Sequence, residues 1–249
     1  DSYRFEVNFG SPPKSATSGT TAGKRGGFLC LLSGAPIDYK YIRAEGSAGR
    51  MGQRLMAIVA EGTRGRVYLS PTAEHEALAC QAQPEWKPET PLHGKCRVNV
   101  SNYGLDVYGD LFTSRQLIAL TTFSDLVKES IIRVHGDALA AGMADDNLGL
   151  DKNGRGATAY AQAVGVYLAF GLSRASDAWS AQVTWRNQVD ATRNTFARQA
   201  IPMTWDFAEV NPFSDSCGNW TGNSTEWVSK GLLELPRKAI EGFASQGDA

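Results

Sequence analysis

The sequence predicts an α+β fold in which a strand-rich first part is followed by a mainly helical one. Three observations predict it. Apolar residues alternate or bunch in short runs up to Ala79, they recur at helical spacing from Thr113 onward, and the stretch between holds Pro84, Pro88 and Pro91 with little periodicity of either kind. The expected organisation is a strand-rich part over residues 1–83, a linker over 84–102 and a mainly helical region over 103–249.

In the first part, Tyr3 to Phe9 alternates apolar and polar residues, the pattern of a half-buried strand. Ser11 to Gly27 is dense in Gly, Pro, Ser, Thr and Lys and reads as a linker. Phe28 to Leu32 is a short apolar run closed by Gly34-Ala35-Pro36. Leu55–Ala60 and Arg66–Leu69 flank Gly62-Thr63-Arg64-Gly65, which predicts a hairpin. Thr72 is placed to cap a short helix carrying Glu74, Glu76 and Leu78.

In the second part, Thr113 is an N-cap for a helix through Arg133, with Leu117, Leu120, Phe123, Val127 and Ile131 on its apolar side. A loop rich in Gly and Asp is expected from Gly136 to Gly156, then a helix from Ala157 to Trp179 whose Ala and Gly residues permit close packing. Helical turns over Thr192–Ala200 end before Pro202. Met203–Val210 fits a strand or a helix, and Ser224 or Thr225 would cap Glu226–Phe243, kinked at Pro236.

The longest apolar runs fall far short of the roughly 20 residues that span a bilayer, so no membrane partner is expected. The chain starts at Asp1 without a Met or a signal segment, and is expected to be a piece of a longer protein. Cys30, Cys80, Cys96 and Cys217 stand far apart with no C-x-x-C pair. That spacing argues against a local zinc site and fits a cytoplasmic setting, in which the sequons at Asn99, Asn219 and Asn223 carry no weight.

A net charge of −1 gives no global case for a polyanion partner. Residues 1–70 are different, since ten Lys or Arg face five Asp or Glu there, a local excess of +5. Arg43, Arg50, Arg54, Arg64 and Arg66 are the candidates for phosphate contact; a solvated basic face without a partner fits the same counts.

Other motifs fall short. Gly19-Thr20-Thr21-Ala22-Gly23-Lys24-Arg25 is one residue too short for a phosphate-binding loop and has Arg25 where a hydroxyl should stand. Asp151-Lys152-Asn153-Gly154-Arg155-Gly156 opens like a calcium loop, but Arg155 and Gln162 occupy ligand positions. His75, His93 and His135 have no partner at a recognisable spacing. Asn211-Pro212-Phe213 lacks the second proline of the [N/D/S]-P-P-[Y/F/W] tetrad with which amino-methyltransferases hold and stack a target base.

Several strings closely resemble large adenine-specific DNA methylase-like proteins that carry a zinc-ribbon insert and are associated with phage defence. They include Asn102-Tyr103-Gly104, Gly109-Asp110-Leu111-Phe112-Thr113-Ser114-Arg115-Gln116-Leu117 and Asn194-Thr195-Phe196-Ala197-Arg198-Gln199-Ala200, continuing to Asn211-Pro212-Phe213. Gly34-Ala35-Pro36-Ile37, Tyr41-Ile42-Arg43-Ala44-Glu45-Gly46 and Leu55–Gly62 are similar to that family's insert. By resemblance, the chain is the region between an upstream S-adenosylmethionine loop and a downstream D-P-P-Y tetrad, neither of which it contains. The resemblance implies a recognition or accessory region that is inactive alone. It implies DNA and the remainder of the methylase polypeptide as partners, and S-adenosylmethionine as the cofactor of the complete protein but not of this chain. Trp205, Asp206, Asn211, Pro212 and Phe213 are then the residues expected near the cofactor or target base. The family's C-x-x-C knuckle reads Cys30-Leu31-Leu32-Ser33 here, so no bound metal is expected, one thiolate being too few for a tetrahedral zinc. The alternatives are a non-catalytic protein-interaction module acting through the helical half, or a remnant of a degraded methylase gene. A small methyltransferase using Asn211-Pro212-Phe213 would need a glycine-rich cofactor loop after a strand, and none is legible.

Overall fold

In the computed structural model the described residues are 3–23 and 26–235. They form an α+β mix, with small antiparallel hairpins mostly in the first half and the long helices later. The chain packs into two compact units. The first comprises the chain up to Ile118 together with Ser180–Gln182 and Thr195–Phe207; the second comprises Ala119–Trp179, Val183–Asn194 and the chain from Ala208 on.

In the first unit a short helix α1 (Lys14–Ser18) precedes β1 (Phe28–Leu29), which pairs antiparallel with β2 (Pro36–Ile37). Asp38 caps α2 (Tyr39–Ser47) by accepting the Tyr41 N–H at 2.7 Å. The expected hairpin is present as β3 (Ile58–Gly62) and β4 (Gly65–Leu69), in register from Ile58↔Leu69 to Gly62↔Gly65. Thr72 caps α3 (Ala73–Ala79) as expected, its hydroxyl accepting the His75 N–H.

Tyr3–Phe9 forms no strand. Its backbone is held at Val7, whose N–H donates to Ser70 Oγ, and Phe9 is 86% exposed. An alternating pattern becomes a strand only where a neighbouring strand supplies the ladder, and none pairs with it among the described residues.

The stretch 84–102, expected as a linker, supplies core. Leu92 and Val100 pack with Leu111 and Ile201, all at most 1% exposed, with Cys96, Leu105, Tyr108 and Phe112 around them. Its prolines deny it a regular ladder, but tight 3₁₀ turns at Gly94–Arg97 and Val100–Tyr103, with another just beyond it at Tyr108–Leu111, carry Cys96, Val100, Tyr108 and Leu111 into this cluster. Leu92 N–H to Asp106 O (2.8 Å) and Tyr108 N–H to Thr90 O (2.9 Å) satisfy the backbone.

The long helix α4 (Ser114–Ala140) starts at the N-cap expected at Thr113, which the structure extends to a capping box: its hydroxyl accepts the Gln116 N–H, and Gln116 Oε1 accepts the Thr113 N–H at 2.8 Å. It runs through Gly136, where a loop was expected, and buries Ala138 on the added turn. In the second unit α5 (Ala157–Ala178) lies against it, so closely at Gly165 that a Cβ there would stand 2.5 Å from Ile131. The small residues foreseen in this helix make that approach possible.

Thr192–Ala200 is not helical. β5 (Thr184–Arg186) and β6 (Ala191–Arg193) pair instead as a hairpin whose turn uses Asp190 at φ +47°, and the β-branched residues Thr184 and Thr192 suit it. Met203–Val210 forms neither strand nor helix. A helix does begin at Glu226, as α6 (Glu226–Leu233), but neither Ser224 nor Thr225 caps it with its side chain: a π turn at Thr221–Thr225 runs directly into it, and the Thr225 hydroxyl donates back to the Thr221 carbonyl. The expected continuation to Phe243 with a kink at Pro236 lies outside the described residues. The core of this unit is Phe123, Ala175 and Trp179, flanked by Leu120, Leu172, Val210 and Trp220.

Candidate functional site

Of the five residues expected near a base or cofactor, Trp205 and Asp206 belong to the first unit and Asn211, Pro212 and Phe213 to the second. Trp205 stands in an aromatic cluster assembled from distant parts of the chain. Its ring centroid lies 5.4 Å from Phe28 and 5.1 Å from Tyr103, both edge-on, and Phe28 in turn meets Tyr39 at 6.0 Å. α2 positions the cluster because Gly46 lets its backbone rest on Tyr103; a Cβ at Gly46 would come within 2.6 Å of the Tyr103 carbonyl oxygen. The same helix places the Arg43 guanidinium 5.9 Å from the Tyr39 and Tyr103 ring centroids, the outer range of a cation–π contact. Asp206 is exposed beside Trp205.

The five phosphate candidates differ in how their charge is used. Arg50 forms a two-pronged ion pair with Glu45 at 2.8 Å, and Arg54 pairs with Glu76 at 2.7 Å and lies over the Tyr3 ring. Glu45 and Glu76 are held below the usual carboxylate range chiefly by these arginine hydrogen bonds. Arg66 stands across the hairpin from Glu61. Arg43 and Arg64 are exposed, and no carboxylate pairs with either among the described residues.

Asn211 folds on itself. Its Oδ1 accepts the Phe213 N–H at 3.0 Å and its carbonyl accepts from Ser214, an Asx turn. The Pro212 carbonyl accepts the Trp220 N–H at 2.9 Å. Phe213 reaches Phe123 at 6.0 Å yet remains 82% exposed.

A cluster that sequence spacing did not reveal joins His135 of α4 to the loop before α5. His135 Nε2 lies 3.0 Å from Asp145 Oδ2, and the Thr158 hydroxyl donates to the same oxygen at 2.7 Å. Asp145 Oδ1 also accepts the Thr158 and Asn147 N–H groups. A hydrolytic triad needs the imidazole between hydroxyl and carboxylate. Here the Thr158 hydroxyl, at 3.4 Å, and the carboxylate meet the same imidazole nitrogen, Nε2, which leaves no relay through the ring, so the group works as a clamp on the start of α5. The His135 hydrogen bond first, then the Thr158 backbone and hydroxyl, hold the Asp145 carboxyl far below its ordinary range. A depressed carboxylate contributes stability above its unfolded pKa, and that contribution is lost as pH falls toward the folded value. In denaturation series from pH 7 downward, the stability gap between the native chain and Asp145→Asn should therefore be widest near neutrality and close below about pH 4. A gap independent of pH would contradict the clamp.

The Cys30–Ser33 segment forms a tight turn: Cys30 N–H donates to Ala35 O, Gly34 N–H donates to Cys30 O, and Gly34 takes φ +70°. The Ser33 hydroxyl, then the Ser33 and Leu32 N–H groups, hold the Cys30 thiol below its usual pKa. Among the described residues no three His, Cys, Asp or Glu side chains converge as metal ligands. The glycine-rich stretch Gly19–Gly23 follows a helix and precedes a strand, the reverse of a phosphate-binding loop; Lys24 and Arg25 lie outside the described residues. In the calcium-like loop, Gln162 Oε1 accepts the Leu150 N–H. An open cleft of about 370 Å³ is lined by Gly46, Met51, Lys87, Tyr103 and Asp110. Its charged groups are already engaged, for Lys87 bonds Asp110 at 2.6 Å. Against the burial that would raise it, Lys87 and the Val107 and Asp106 N–H groups keep the Asp110 carboxyl low.

Comparison with protein-family models, with curated proteins and with solved structures found no match for this chain.

Proposed function

We propose that the chain is a recognition and accessory region of a DNA adenine-specific methyltransferase-like protein, binding DNA through its first unit and leaving methyl transfer to the remainder of that polypeptide. The supporting observation is the basic and aromatic composition around α2, where Arg43 lies over Tyr39 and Tyr103 without a carboxylate partner among the described residues, and Tyr103 in turn meets Trp205. Among the described residues the glycine-rich stretch Gly19–Gly23 lies between a helix and a strand, without the preceding strand and following helix that cradle S-adenosylmethionine in dinucleotide-type folds. In this reading the cofactor is assigned to the complete protein. A cytoplasmic setting goes with this reading and with four unpaired cysteines.

With Arg50 and Arg54 engaged by carboxylates, two or three phosphate contacts remain for the first unit. Affinity for duplex DNA should then fall about 10- to 40-fold between 50 and 200 mM salt, a log–log slope of roughly −1.8 to −2.7. Fluorescence anisotropy with a labelled duplex reads this directly. Absence of binding at 50 mM, or affinity indifferent to salt, would remove the proposal.

A second reading, a protein-interaction module, is favoured by apolar side chains left in solvent on the helices: Ile132 is 75% and Phe170 56% exposed. No helix among the described residues is long and apolar enough to cross a bilayer.

A further inference from the structure

We infer that the first unit carries a stacking platform for an unpaired nucleobase, formed by Trp205 on the ring cluster of Phe28, Tyr39 and Tyr103, with Arg43 and Lys40 placed for the adjoining phosphate. The inference rests on the DNA-binding reading above and narrows it from duplex backbone to single-stranded or extruded bases.

Trp205 is 43% exposed although two rings touch it. Phe28 and Tyr103 approach at interplanar angles of 66° and 86°, so they fix the indole orientation without stacking on it. Tyr103, the support beneath, is 8% exposed and anchored by the close approach of α2 at Gly46. An indole held in this way gives up little rotamer freedom when a base stacks on it, which favours binding.

The charges agree. Lys40 and Arg43 are three residues apart on α2 and therefore neighbours on its surface; both are exposed and unpaired among the described residues. Arg43 is moreover steadied by two rings. The one carboxylate that opens the helix, Asp38, is engaged by the Tyr41 N–H. Asp206 follows Trp205, so the phosphate is taken up on the α2 side. Aromatic faces beside unpaired cations are how proteins hold single-stranded nucleic acid without reading its sequence. The cleft lined by Gly46 and Tyr103 does not compete for this role, its Lys87 and Asp110 being already joined.

The test is anisotropy of the full chain with a labelled 15-nucleotide thymidine strand and with a duplex of equal length, both at 50 mM salt. The single strand should bind more tightly. Trp205→Ala should weaken single-strand binding about 5- to 150-fold, the worth of one stacked base, while moving duplex affinity less than about twofold. Trp205→Phe should retain most of it, and Arg43→Gln should weaken both ligands. Because Trp205→Ala could disturb the fold, the native chain is also irradiated with a 5-iododeoxyuridine strand and the crosslinked peptide identified. Attachment at Trp205 or Tyr103 supports the platform. Equal affinity for both ligands, or crosslinks only elsewhere, overturns it while leaving duplex binding intact; no binding to either ligand overturns the DNA reading as well.

Discussion

Replacing Trp179 by alanine is expected to destabilise the second unit by about 3–5 kcal/mol, the usual range for removing a fully buried aromatic side chain. The indole is 1% exposed and sits between Phe123, at 5.4 Å, and Trp220, at 6.4 Å. Its Nε1–H donates to the Gly218 carbonyl at 2.6 Å. Truncation thus opens a cavity and leaves a carbonyl oxygen without its donor, two separate penalties. Collapse into the cavity is hindered because the remaining buried member of the cluster, Ala175, is small. Since domains of this size are stable by only about 5–15 kcal/mol, the variant should lose a large part of its denaturant resistance. Trp179→Phe separates the two penalties: it keeps most of the ring and loses the hydrogen bond, and should cost about 1–3 kcal/mol. Urea titrations followed by near- and far-ultraviolet circular dichroism measure both. A loss below 1 kcal/mol for the alanine variant would mean that this cluster is not the core of the unit.

What could be read from the sequence was local. Thr113 and Thr72 were legible as caps because a cap is defined by residues three positions apart. The hairpin around Gly62–Gly65 and the helix beginning at Ala157 followed from turn chemistry and spacing in the same way. Leu92 and Val100 were not legible as core, since irregular backbone carries no period for an apolar pattern to follow. Thr192–Ala200 failed for the opposite reason, the hairpin partner overriding a weak helical tendency. At the candidate site, Trp205 and Arg43 could be named individually. Their association with Phe28, Tyr39 and Tyr103 could not, because Tyr103 is remote from Arg43 in the chain and Trp205 lies more than one hundred residues beyond Tyr103. One signal was readable and unused: Asp38 stands at the cap position before Tyr39, which announces α2 and with it the placement of Lys40 and Arg43.

That helix makes a sharper demand. Gly46→Ala should cost about 2–3 kcal/mol, at the upper end of overpacking penalties, although alanine is the better helix former. The clash would be with backbone, 2.6 Å from the Tyr103 carbonyl oxygen, where no side chain can rotate aside. The partner surface is equally unyielding: Gly104 takes φ +80°, and a Cβ there would stand 2.5 Å from the Gly46 carbonyl oxygen. Relief requires α2 to lift from the Val100–Tyr103 turn, carrying Arg43 away from the Tyr103 ring. Stability and ligand affinity should therefore fall together in Gly46→Ala. Gly49→Ala makes the control, for it also lies near the end of α2, at φ +68° but with open space around it, and should cost about 1 kcal/mol by backbone strain with little effect on binding. Thermal melts paired with single-strand anisotropy separate the two variants. If Gly46→Ala binds and melts like the native chain, α2 does not rest on Tyr103, and the ring cluster loses its foundation.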